Sequence, residues 1–253
     1  MPLPVITLAP FYYGITAEDL RGAAHAVIDN PHLFRPKESP PDLKMTLLHY
    51  FFKEISASQK YNVLRTEPVA LTIRQEIASL LDRHLSQIEP RAVYTLCEAT
   101  KTEDGLAISE TPFSLHSLLL HDFFSSTDNL PPTTRCFLYV VTIGPAAEQL
   151  VTAYSQKNQP LEAFVMNSIA GAATDLIAEC LQKYLEEKYH AELKGNSLQR
   201  YSPGYQDWHL RDQAVIFKIL NPEKNIGVAL TEAFLMNPLK STSGIMGVKL
   251  STT

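Results

Sequence analysis

Arg200-Tyr201-Ser202-Pro203-Gly204-Tyr205 puts a permanent cation, a turn-forming Pro-Gly pair and two aromatic rings into six residues. Proline presets a turn φ, and glycine lets the backbone approach a ligand that a Cβ would push away. An arginine fork grips a carboxylate with two parallel hydrogen bonds, and a tyrosine face attracts a cation or stacks on a ring. A ligand with a carboxylate, a positive centre and an aromatic base suits that set, and S-adenosylmethionine has all three. The same six residues also read as an ordinary surface turn in a loop over 191–204, so their neighbours decide.

Downstream, Asp207-Trp208 introduces a helix through Gln213, Val215, Ile216, Phe217, Ile219 and Leu220, closed by Asn221-Pro222. Trp208, the single tryptophan, is either a pocket wall or a helix staple. Residues 227–232 and 244–248 read as two short strands, with a polar turn over 240–243 between them. Upstream lies the longest helix, about 161–189, whose apolar side includes Ile169, Leu176, Ile177, Leu181 and Leu185. Its small patch Ala170-Gly171-Ala172-Ala173 would admit another element close to the backbone. Asp175 and Glu179 are four apart and project from one face. By spacing alone they are a solvated surface.

Further upstream, residues 136–144 form a near-continuous apolar run, as expected of a central strand, and Gly144-Pro145 turns it into a helix. Residues 114–124 read as a short helix. His116 and His121 within it lack metal-site spacing and are read as structural. A strand over 92–97 and the turn 102–105 into Leu106-Ala107-Ile108 suggest a hairpin. Residues 71–88 are an amphipathic helix stopped by Pro90, with His84 on its apolar side as a satisfied core residue. Nearer the start come a helix from Thr16 to about Asn30, an exposed loop over 35–41 and an aromatic core segment over 49–52.

Composition sets the outer bounds. At 253 residues, with 45% hydrophobic and 19% charged, the chain suits a soluble globular protein. A net charge of -5 without a basic run argues against nucleic acid. The N-terminus lacks the basic region of a signal peptide, and no apolar run approaches bilayer-spanning length, so no membrane partner is expected. Cys97, Cys136 and Cys180 read as reduced, buried thiols in a cytoplasmic protein.

Taken together, Arg200-x-Ser-Pro-Gly-Tyr205, Asp207-Trp208, Gln213, Ile226-Gly227-Val228-x-Leu230-Thr231-Glu232, Met236-x-Pro238 and Lys240-Ser241-x-Ser243-Gly244 resemble one family. It is the activation (reactivation) domain of cobalamin-dependent methionine synthase, and more closely its free-standing relatives. The resemblance covers about residues 70–250. It divides the chain into an N-terminal elaboration, 1–65, and an activation-like domain, 66–253.

The resemblance implies a single α/β (α+β) domain, a twisted antiparallel sheet with flanking helices, binding S-adenosylmethionine in a shallow site. Arg200 resembles the arginine that holds the ligand's carboxylate. Ser202, Gly204 and Tyr205 resemble the positions lining its adenosine and sulfonium, and Glu179 the acid facing its amino group, with Asp175 behind it. Two family contacts have no match: an aspartate expected within 1–65, and a tail tyrosine that would fall beyond Thr253. The expectation is a site that is more open, lower in affinity or completed by a partner.

In such a family an inactive cob(II)alamin is rescued by one electron and a methyl cation equivalent, within methionine biosynthesis. The protein then needs no catalytic side chain, only orientation of the methyl donor. The chain accordingly lacks a Ser-His-Asp or Cys-His set, a G-x-G-x-x-G loop and a D-x-H-x-x-G cobalamin-ligating motif. The implied partners are a corrinoid protein, or a methionine synthase lacking its own activation domain, and a low-potential donor such as a flavodoxin or ferredoxin. The chain would be an accessory component of that methyltransferase system. The alternative is a non-catalytic module that caps or shuttles a corrinoid protein.

Overall fold

The computed structural model describes residues 5–7, 67–125, 133–194 and 196–249. The expected helix from Thr16, the segments 35–41 and 49–52 and nearly all of the elaboration 1–65 lie outside them. In chain order the elements are β1 (Val5–Thr7), α1 (Glu67–His84), β2 (Arg91–Thr102), β3 (Gly105–Ile108), β4 (Ser114–His116) and α2 (Leu118–Ser125). Then come β5 (Thr133–Thr142), α3 (Ala146–Gln156), α4 (Pro160–Lys188), β6 (Ser197–Tyr201) and α5 (Gln213–Leu220). The last are α6 (Pro222–Ile226), β7 (Ala229–Leu230), β8 (Met236–Asn237) and β9 (Ser241–Lys249).

The architecture is mixed α/β on an antiparallel sheet, as expected. The described residues gather into two compact units, neither contiguous in sequence: 5–7, 91–125, 133–142, 177–194 and 196–249 form one, and 67–90 with 143–176 the other. The first unit holds a seven-stranded sheet of order β4-β3-β2-β5-β9-β6, with β1 on the start of β2. Its long ladder joins β2 to β5 from Arg91↔Thr142 to Thr100↔Thr133. Val93 and Tyr94 are both buried, although neighbours on a strand face opposite ways, so the sheet is covered on both faces. One face carries the core of Val93, Leu138, Val140 and Ile245 against Trp208, Ile216 and Leu220. On the other, the C-terminal part of α4 lays Tyr184 against Tyr94 and is followed by Tyr189 against Phe137. Lys188 donates to the Tyr94 hydroxyl at 2.8 Å and lies 5.4–5.6 Å from three tyrosine ring centres. Burial pushes that hydroxyl up to about 12 against the lysine's opposing pull, so it stays neutral.

Several local expectations need correction. Residues 114–124 are not one helix: Ser114–His116 pair with β3, and α2 starts after Ser117. The switch is set by Ser117, whose hydroxyl accepts from Leu120 N–H at 3.2 Å as a helix cap. At Gly105 a Cβ would lie 2.0 Å from the Leu115 carbonyl oxygen, so this close pairing requires glycine. The polar turn over 240–243 is mostly strand, because Ser241 bonds Thr142 at 2.9 Å and Ser243 donates to Gln213 at 2.8 Å. Gly227 is the left-handed cap of α6 rather than strand. Asp207 and Trp208 precede a 3₁₀ turn, Leu210–Asp212, before α5 begins at Gln213.

The second unit contains α1, α3 and the first part of α4. His84 is satisfied there as expected, its Nε2 2.7 Å from the Tyr154 hydroxyl and its Nδ1 3.1 Å from the Gln87 amide, but it is only partly buried rather than a core residue. A Cβ on Gly171 would meet no described atom within 4 Å, so no close approach of another element explains this glycine. By length and composition α4 is apolar enough to cross a bilayer, contrary to the sequence expectation; 61% of its apolar window is buried in the fold, as in a core helix. Cys136 is buried, but Cys97 and Cys180 are partly exposed, which corrects the reading of all three thiols as buried.

Candidate functional site

The expected loop over 191–204 contains an edge strand, β6, which places Arg200. Arg200 is opposite Met246, and Met246 opposite Phe137, which is opposite Leu96. Directly opposed residues of antiparallel strands share a face, so Arg200 projects on the Phe137 side, the face that carries α4. Ser202, two residues on, shares that face, and its hydroxyl lies 3.5 Å from the Tyr139 hydroxyl. Gly244 makes this reach possible: it opposes Tyr139, and a Cβ there would lie 3.1 Å from the ring and 2.0 Å from the Tyr201 carbonyl oxygen. Tyr201 points the other way and packs on Phe123, ring centres 4.7 Å apart.

Helix α4 supplies the acid. Glu179, Gln182, Lys183 and Glu186 fall at i, i+3, i+4 and i+7, one helical stripe. Two of the four hold β6: the Leu198 N–H donates to Glu186 at 2.7 Å, and Gln182 donates to the Leu198 carbonyl at 2.8 Å. From its N–H to its carbonyl, Leu198 therefore runs toward lower helix numbers, so strand and helix are antiparallel. Arg200 is about 6.6 Å beyond Leu198, at 3.3 Å per strand residue. That equals about four helix residues at 1.5 Å each, so Arg200 lies toward the Glu179 end of the stripe. Glu179 pairs with Lys183 at 2.8 Å, and the arginine is partly buried. Asp175 is exposed one turn earlier.

The rest of the motif is a pinned turn. Gly204 has φ of +94°, which a side chain would strain, and its N–H donates to the Trp208 carbonyl at 2.7 Å. Trp208 itself is 1% exposed, with its indole N–H on Asp212 at 3.2 Å. It is therefore a core anchor of the turn, and the pocket-wall alternative falls. Asp207 reaches back to accept from Leu118 N–H, Leu119 N–H and the Ser117 hydroxyl, closing the N-terminus of α2. Tyr205 is left 70% exposed, a large ring presented to solvent beside an exposed glycine backbone.

Arg200, Ser202, Gly204 and Tyr205 thus form one continuous ridge, with Arg200 and Ser202 facing the helix of Glu179. The sequence reading missed Tyr139, Gln182 and Glu186; the i, i+3, i+7 spacing from Glu179 was the available signal for the last two. A cleft of about 280 Å³ lies further down α4, lined by Lys183, Glu186, Glu187, His190, Asn196 and Ser197. None of the four ridge residues lines it, so volume and chemistry point to different places. The ridge combines a cation, a hydroxyl, an exposed backbone and an exposed ring. Among the described residues no group of three or more His, Cys, Asp or Glu is placed to hold a metal.

A mixed α/β protein with an antiparallel sheet of this kind has a solved counterpart. The fold is similar to the crystal structure of the MetH reactivation domain bound to AdoHcy, with a TM-score of 0.65 and 21% identity over 83% of this chain and 77% of that one. Residues 48–252 match the family of the vitamin B12 dependent methionine synthase activation domain, and the chain belongs to that family.

Proposed function

We propose that the chain binds S-adenosylmethionine along β6 and the turn after it, and supports reductive methylation of a cob(II)alamin carried by a separate corrinoid protein or methionine synthase. Family membership and the AdoHcy bound to the structural relative support a reactivation role. The observation that carries the ligand assignment is the register of Arg200 and Ser202, which share the sheet face covered by α4, the helix of Glu179, ahead of an exposed Tyr205. In this reading the Arg200 fork grips the ligand's carboxylate, Glu179 exchanges Lys183 for its ammonium, and the Gly204 backbone and Tyr205 ring seat the adenosine and sulfonium. The partly exposed i,i+4 ion pair Glu179–Lys183 is weak, about 0.3–0.5 kcal/mol, so that exchange costs little. S-adenosylmethionine would supply an electrophilic methyl group and the partner's corrinoid the metal that accepts it. A low-potential donor, such as a flavodoxin or ferredoxin, supplies the electron. The chain's own part is to bind and orient, in a shallow site that leaves the methyl accessible to a docked protein in the cytoplasm.

Calorimetric titration with S-adenosylmethionine tests the site. Arg200→Ala should weaken binding about 10- to 150-fold, the equivalent of about 1.5–3 kcal/mol for a charged hydrogen bond. Arg200→Lys should weaken it nearly as much, because an ammonium cannot reproduce the fork. A lysine variant that binds like wild type refutes the bidentate grip. For the function, wild type with S-adenosylmethionine, a reductant and a cob(II)alamin-loaded corrinoid protein should change the cobalt spectrum to that of the methylated form. Arg200→Ala should not. Methylation equally fast with Arg200→Ala overturns the reading, and docking without any methylation by wild type favours the capping module instead.

A further inference from the structure

The β2–β5 ladder carries a cysteine pair that the functional reading does not use. Cys97 and Cys136 are directly opposed in register, and their Sγ atoms are 3.4 Å apart. Opposed residues of antiparallel strands have Cα atoms about 4.5–5.5 Å apart. A disulfide tolerates about 4.4–6.8 Å with sulfurs about 2.05 Å apart, so small side-chain rotations close the bond without moving the strands. The two thiols differ in access. Cys136 is fully buried, while Cys97 is partly exposed. A small oxidant therefore reaches Cys97 first. The contact with Cys97 and burial both push the Cys136 thiol up, so it is the poorer initial nucleophile and the natural resolving group.

We propose that Cys97 and Cys136 are a reversible oxidation site, closing an intramolecular cross-strand disulfide when the chain meets a small-molecule disulfide such as oxidised glutathione. The Cys97 thiolate attacks one glutathione sulfur, forming a mixed disulfide and releasing one glutathione thiolate. Cys136 then attacks the Cys97 sulfur, loses its proton and expels the second glutathione. Two protein thiols and one glutathione disulfide become one protein disulfide and two glutathione thiols, so atoms and electrons balance. The bond would lock β2 to β5 in the row Cys97↔Cys136↔Gly247↔Gln199, next to the row that places Arg200. The proposal does not depend on the ligand assignment.

The test treats the folded, reduced full chain with oxidised glutathione and counts thiols with a colorimetric reagent after unfolding. Wild type should fall from three thiols to one, with a mass loss of about 2 Da. Non-reduced trypsin digestion should give residues 92–101 linked to residues 136–157, and dithiothreitol should restore all three thiols. Cys180→Ser should fall from two thiols to none, and Cys97→Ser should form no intramolecular disulfide. The wild-type peptide map decides the matter even where a variant folds poorly. Three surviving thiols, glutathione retained on Cys97, or a linkage through Cys180 overturns the proposal.

Discussion

Replacing Asp207 with alanine removes a cap from a helix far upstream in the chain. Its carboxylate accepts from the N–H groups of Leu118 and Leu119 and from the Ser117 hydroxyl at 3.1 Å. A lost N-cap costs about 0.5–2 kcal/mol, and a negative charge at a helix N-terminus contributes about 0.3–1 kcal/mol within the same setting. Asp207 is exposed, and Ser117 still caps Leu120, so the expected loss is about 1–1.5 kcal/mol. For a chain of this size that lowers the melting temperature by about 2–6 °C. Asp207→Asn keeps an acceptor without the charge and should lose about half as much. The pH dependence carries a sign. Burial pushes the Asp207 carboxyl up, but the bonds from Leu118, Leu119 and Ser117 outweigh it and hold it below the ordinary value of 3.8. A depressed carboxylate contributes stability above its unfolded pKa and loses it as pH falls through the folded value. The gap between wild type and Asp207→Ala, followed by urea unfolding, should be full at pH 7 and shrink below about pH 4. Unaltered stability at pH 7 together with lost S-adenosylmethionine binding would refute the cap and make Asp207 a ligand residue.

Two further outcomes follow from the site's construction. Glu179→Gln should weaken S-adenosylmethionine binding in calorimetry while shifting stability by no more than about 0.5 kcal/mol, since only a partly exposed i,i+4 pair is lost. A large fall in melting temperature with unaltered affinity would make Glu179 structural. Gly244→Ala should destabilise the chain by about 1–3 kcal/mol, because a Cβ 2.0 Å from the Tyr201 carbonyl oxygen forces β6 away from β9. Ligand affinity should fall with it, as Arg200 and Ser202 are positioned by that pairing. A fully stable Gly244→Ala protein with wild-type affinity contradicts the register argument.

The sequence by itself determined which segments are periodic and where a cation, a turn and aromatic rings fall together. The central strand, the long helix and the hairpin were readable because each is written in local alternation or helical spacing over many residues. Arg200 through Tyr205 stood out for the same reason: its chemistry is contiguous. Tertiary structure decided what each residue faces. Residues 197–201 looked like loop because an edge strand of five residues, paired on one side, needs little hydrophobic alternation. Ser241 and Ser243 looked like a turn until Thr142 and Gln213 took up their hydroxyls across the sheet. Asp207 looked like the start of its own helix, yet its carboxylate closes another one. Glu179 was one acid on a solvated stripe until Gln182 and Glu186, on that stripe, fastened β6 beneath it. Periodicity is a property of neighbours in the chain and is legible from sequence. Facing depends on register between distant segments, and only the folded sheet sets that.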